Sequence, residues 1–139
     1  MKRLLTCVFT FITFALSAQT LTEKWTTEAS LRVPESVLLD SKNNVLYVSS
    51  IDGTPEAKDG NGFISQVTLD GKIKNLKWVT GLDAPKGMGL FNKNLYIADI
   101  SRVVTVDIST GKITNTLEIE GAKFLNDIAV GDGKVYVSD

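Results

Sequence analysis

The chain matches itself at a shift of 40 residues, alternates apolar and polar side chains with a period of two, and breaks each run with Gly-Lys or Asn-Lys turns. These three features predict an all-β fold made of four-stranded blades, a β-propeller. The shift is clearest from the middle outward. Moving Ala84–Ala122 forward by 40 puts Pro85 on Leu125, Leu90 on Val130, Tyr96 on Tyr136 and Asp99 on Asp139. Moving it back by 40 puts Thr110-Gly111-Lys112 on Asp70-Gly71-Lys72, and Gly121 on Gly81. A sandwich of short strands is the competing all-β fold, and it would not need a fixed self-match.

The elements follow in chain order. Lys2 and Arg3 precede an apolar run, Leu4–Leu16, and then Ser17-Ala18-Gln19. That is the layout of a secretory signal peptide over residues 1–18, cut after Ala18. The run is short for a membrane span. The mature chain is therefore expected to be secreted or periplasmic and free of the membrane. Leu21–Thr27, "LTEKWTT", reads as an isolated strand, of the kind that completes a last blade and closes a ring.

The first blade is expected over residues 31–82. It carries 11 extra residues relative to the next copy, two in the turn Asp40–Asn44 and nine in the loop Ile51–Asn61. Both insertions fall where backbone can stay solvated and added length costs little. The second blade spans 83–122, with Met88 and Leu90, Leu95 and Ile97, then Val104, Val106 and Ile108 on alternating positions. Each copy reads as inner strand, turn, second strand, loop, third strand, Gly turn and outer strand. Trp25 and Trp78 read as packing residues of outer strands. Residues 123–139 match only the inner and second strands of a third blade. The expected domain, 19–139, thus holds about two and a half blades of six, as the N-terminal part of a propeller of roughly 250–300 residues.

Composition narrows the chemistry. There is no histidine, and the one cysteine, Cys7, lies in the leader. Ser/His/Asp and Cys/His catalysis and His- or Cys-held zinc are excluded for this stretch. A metal would need oxygen ligands, which suits calcium or magnesium. Without the leader, 13 basic residues face 16 acidic ones, a net charge of −3 with no basic stripe. Nucleic acid is therefore not an expected partner.

The blade alignment puts Glu35, Lys86 and Asn126 at one equivalent position, each opening an inner strand. Inner strands line the central channel, so these three are expected to converge at its upper mouth. Glu35 and Asn126 offer hard oxygen donors for a divalent cation. Lys86 opposes a cation and could instead orient an anionic ligand. Asp99 and Asp139 should point to the same face further out, and Asp127 should turn away from the channel. "KDGNGF", Lys58–Phe63, is read as a solvated Gly-rich turn rather than a calcium loop, because it lacks further acidic ligands.

The segment "LDAPKGMGLFNKNLYIADISRVVTVDISTGKI" resembles an NHL-type repeat, with a Pro-x-Gly inner strand followed by an apolar-Tyr-Ile-Ala-Asp strand. "VPESVLLD" and "FLNDIAVGDGKVYVSD" are similar to the opening Glu strand and the Asn-Asp strand of the six-bladed senescence marker protein/gluconolactonase/luciferin-regenerating family. That resemblance implies a calcium-dependent hydrolase acting on a small ligand such as a sugar lactone. It implies Glu35 as a metal ligand and Asn126 as a residue that contacts the substrate or lies close to the ion; Lys86 is a departure whose charge could instead orient an anionic substrate. The family's Gly-Pro after the glutamate is replaced here by Ser36-Val37. The alternative is a non-catalytic NHL-type propeller that binds a ligand or protein partner.

Overall fold

The computed structural model describes residues 20–139. The leader read over residues 1–18 lies outside them. The described residues are all-β, with ten strands in three antiparallel sheets and no helix. No helix among them is long and apolar enough to cross a membrane.

The first sheet runs in sequence order: β1 (Pro34–Asp40), β2 (Val45–Ser50), β3 (Gly62–Thr68) and β4 (Ile73–Leu82). The second repeats it with β5 (Pro85–Phe91), β6 (Asn94–Asp99), β7 (Arg102–Asp107) and β8 (Lys112–Glu118). The third holds β9 (Ile128–Gly131) and β10 (Lys134–Val137). Each of the first two sheets is an up-and-down meander of four strands, as the repeat predicts. The inner strands β1, β5 and β9 are neighbours across the sheets.

The blades are held by apolar seams between sheets, because one meander cannot bury its own face. Tyr47, Ile64, Val79 and Leu82 of the first sheet meet Met88, Leu95, Ile97, Val104 and Val106 of the second. Ala98, Val103 and Leu125 begin the next seam. Glycine lets backbone and ring approach at the outer turns. A Cβ on Gly111 (φ 69°) would lie 2.7 Å from Trp78 Nε1, and one on Gly71 (φ 86°) 2.6 Å from Trp25 Cε3.

Residues 21–27 join no sheet among the described residues, which do not include the last blade that a ring-closing strand would complete. The side chain of Trp25 anchors the segment: its Nε1 donates to the Leu69 carbonyl at 2.9 Å and its ring covers the Gly71 turn. Trp78, in β4, is an outer-strand packing residue as read, and stacks on Tyr47 at 4.8 Å.

Candidate functional site at the channel mouth

Glu35, Lys86 and Asn126 all sit where an inner strand begins, and the ladder is irregular at each point. The β1–β2 register shifts between Pro34 and Ser36, leaving Glu35 out of step. The β5–β6 register shifts between Pro85 and Met88, leaving Lys86 and Gly87 out of step. Such bulges re-aim side chains and recur beside functional sites. Asn126 precedes β9 altogether. Its N–H donates to the Ser138 carbonyl at 3.0 Å, and its carbonyl accepts the Gly87 N–H at 2.8 Å.

Gly87 sets how close the second and third inner strands come. A Cβ there would stand 2.7 Å from Asn126 O and from Asp127 Cα, and 2.9 Å from Asp127 Oδ1. Only a residue without a side chain lets this backbone through.

Glu35 and Lys86 are close enough to feel each other, and Asp127 joins them. Burial pushes the Glu35 carboxyl up, the Lys86 charge pulls it down, and the Asp127 charge pushes it up again. Asp127 lies before the first ladder pair of β9, Ile128 with Val137.

Lys86 is the most buried member, with 2% of its surface exposed. Its Nζ donates to the carbonyls of Pro55 (3.0 Å) and Ala84 (3.1 Å), and lies 4.2 Å from the centre of the Phe124 ring. Burial lowers its pKa, while Glu35, Asp99 and Glu56 act to raise it. Most of its hydrogen-bonding capacity is spent inside the protein. It ties the inserted loop of the first blade to the second and third blades.

That loop crosses the seam at two further points. Lys58 Nζ donates to Ser101 Oγ at 2.6 Å, and the Gly60 N–H donates to Asp83 Oδ1 at 3.1 Å. Asp59 accepts the Asn61 N–H in a local turn.

Asp99 and Asp139 cap the loops that enter their own blades. Asp99 is 1% exposed, accepts the N–H groups of Asp83 and Ala84, and is paired with Arg102 at 2.8 Å. Arg102 also reaches Asp83 at 3.1 Å. The first blade has Ser50 in this place, at the same ladder end opposite Pro34. Its hydroxyl is buried without a partner.

Around these strand starts Glu35 and Asp127 carry carboxylates and Asn126 an exposed amide. Among the described residues no group of three His, Cys, Asp or Glu side chains could hold a metal ion. The described donor set is therefore two carboxylates and one amide beside a lysine.

No protein-family model matches the chain, and no curated protein matches it significantly. Among solved structures, a chain of the nidogen/laminin complex is similar over 81% of this chain, with 18% identity and a TM-score of 0.61. The computationally designed Ika8 protein is similar over 75%, with 11% identity and a TM-score of 0.50. This chain spans 41% and 29% of those chains. At such identities the likeness shows the fold alone. Blade order, inter-blade seams and the nidogen likeness together define the class of protein, a β-propeller.

Proposed function

We propose that the chain belongs to a gluconolactonase-like propeller acting outside the cytoplasm, a divalent-metal-dependent hydrolase of sugar lactones. The observation that supports this reading is the placement of Glu35 at the start of β1 and of Asn126-Asp127 just before β9, on the two inner strands that flank β5. Glu35, Asn126 and Asp127 would hold the cation, calcium by donor chemistry, with water or substrate oxygens completing its shell. Such an ion supplies Lewis-acid polarisation of a lactone carbonyl. Asp127 is then the group to accept a proton from the attacking water as the ring ester bond breaks and the ring oxygen is protonated. Glu35 stays a ligand. Lys86, buried beside them, contributes a positive potential toward an anionic sugar-acid product.

The test is calcium titration by calorimetry together with sugar-lactone hydrolysis followed by pH-stat, with and without EDTA. The expected result is calcium binding lost in E35Q and hydrolysis lost with chelator. Hydrolysis that survives chelation would overturn the metal reading.

One observation favours a second reading, a propeller that binds without catalysis. Lys86 holds the position equivalent to Glu35 and spends its ammonium on Pro55 and Ala84, and one solved structure of similar fold is a nidogen/laminin complex. Absence of both calcium binding and lactone hydrolysis would move the assignment to that binder.

A further inference from the structure

The closed seam between the first two sheets has an open counterpart on the far side of the first sheet. In the closed seam β5 and β6 turn Met88, Leu90, Leu95 and Ile97 toward the first sheet. Their ladder pairs Met88 with Ile97 and Leu90 with Leu95. One blade earlier the same two pairs are Val37 with Val48 and Leu39 with Leu46. Cross-strand partners share a face. Leu38 packs into the closed seam, so Val37 and Leu39, on either side of it, point the other way. Met88 is buried, whereas Val37 is 61% and Leu39 53% exposed.

The third sheet carries the other half of such a seam. In the first sheet Leu38 pairs with Tyr47, and Tyr47 is buried in the closed seam. Ala129 and Tyr136 form the equivalent pair in the third sheet. A Cβ on Gly89 of the second sheet would stand 2.6 Å from Ile128 Cγ2 and 2.9 Å from Val130 Cγ2. Ile128 and Val130 therefore face the second sheet, and Ala129 and Tyr136 face away from it. Tyr136 is 49% exposed. The outer part of the first sheet's far side is already covered. Trp25 lies on the Gly71 turn as Trp78 of β4 lies on the Gly111 turn, the place of a preceding blade's outer strand. That leaves β1 and β2 open, and the third sheet offers two strands, β9 and β10.

We propose that a second copy of this chain covers these faces, with β9 and β10 of one copy packed on β1 and β2 of the next. The contact continues the seams that the chain already makes between its own sheets, so the repeat itself supplies the complementarity. The two faces differ, so the contact is head-to-tail and either closes into a ring or adds further copies. The row of inner-strand starts then runs on from Asn126 of one copy to Glu35 of the next. The pairing rests on the exposed apolar faces and on no reading of the mouth.

The experiment is sedimentation of the full chain from about 10 μM to about 1 mM, alongside the variants V37D/L39D and Y136D. All three side chains are exposed in the single copy, so both variants should fold, and circular dichroism checks this. The native chain should sediment as two or more copies. Each variant alone should associate at least about tenfold more weakly, because an unpaired carboxylate enters the contact. An equimolar mixture of the two variants should form a pair of chains and stop there, since each brings one intact face. Any of three results overturns the proposal. One is a native chain that stays monomeric at about 1 mM, which leaves the faces to another occupant. The second is association undiminished in either variant. The third is a mixture that stays monomeric while the native chain associates.

Discussion

Asp99 and Asp139 lie forty residues apart and make the same contact. Asp99 accepts the N–H groups of Asp83 and Ala84, and Asp139 those of Lys123 and Phe124, each acceptor and each donor displaced by the same forty positions. The repeat thus copies a tie that locks the end of a second strand to the loop entering its own blade, and not merely a strand pattern.

The two copies differ in burial, and that difference is measurable. Asp99 is fully enclosed and holds Arg102, so D99A would strand two backbone N–H groups and a half-buried guanidinium. The expected loss is about 3 kcal/mol in urea unfolding. Asp139 is exposed, and water can replace it, so D139A should cost about 1 kcal/mol or less. Equal losses would contradict the burial argument.

The approach of the second and third inner strands predicts a steric effect. G87A would drive a methyl to 2.7 Å from Asn126 O and Asp127 Cα. Backbone cannot swing aside as a flexible side chain can, so the strands must part. The expected cost is about 1–3 kcal/mol, with the amide signals of Asn126 and Asp127 shifted in NMR. A neutral G87A would mean that the strands already stand further apart.

Much of this was legible in the sequence for a physical reason. Glycines in the turns, period-two strands and paired Asp residues recur because every blade solves the same packing problem. Glu35 and Lys86 were picked out by that recurrence, and each opens an inner strand, β1 and β5. What recurrence could not show is what happens at insertions and before ladders begin. The bond from Lys86 to Pro55 reaches into a loop with no counterpart in the second blade. Asp127 precedes β9, where alternation does not fix a direction. Residues 21–27 have strand-like composition but no ladder partner among the described residues, and their anchor is one indole. Phe124, beside the Lys86 ammonium, was missed, and an aromatic just before an inner strand was the available signal.

Lys86 provides a test of structural against ligand-directed roles. Its stem is packed and its ammonium sits on carbonyls, so K86M keeps the packing while removing a buried charge. Global stability should change by less than about 1 kcal/mol, whereas K86A should lose about 2–3 kcal/mol through the cavity. The inserted loop loses one of its three ties in both, so exchange at the Ala57 N–H, which donates to Thr54, should quicken. Unchanged exchange would show that Lys58 and Gly60 hold the loop alone.

The last prediction concerns Glu35 and pH. Burial holds its folded carboxyl above the ordinary 4.5, the Lys86 charge pulls it down, and the Asp127 charge pushes it up again. A carboxyl whose folded pKa is raised binds its proton more tightly in the folded state. Its stabilising contribution is therefore complete below pH 4.5 and is lost as pH rises through the folded value. At neutral pH the ionised Glu35 is a mild burden, and E35Q should be more stable there than the native chain. The gain should be no more than about 0.5 kcal/mol, because solvent screens a surface carboxylate. Below pH 4 the two proteins should converge. Calcium should reverse the order at neutral pH if Glu35 is a ligand, since an ion that binds only the folded chain adds stability that E35Q cannot share. Thermal melts of both proteins at pH 4 and pH 7, with and without calcium, separate the two effects. A calcium-dependent rise in the native chain but not in E35Q places the ion on this carboxylate. Identical responses in both remove Glu35 from any metal site.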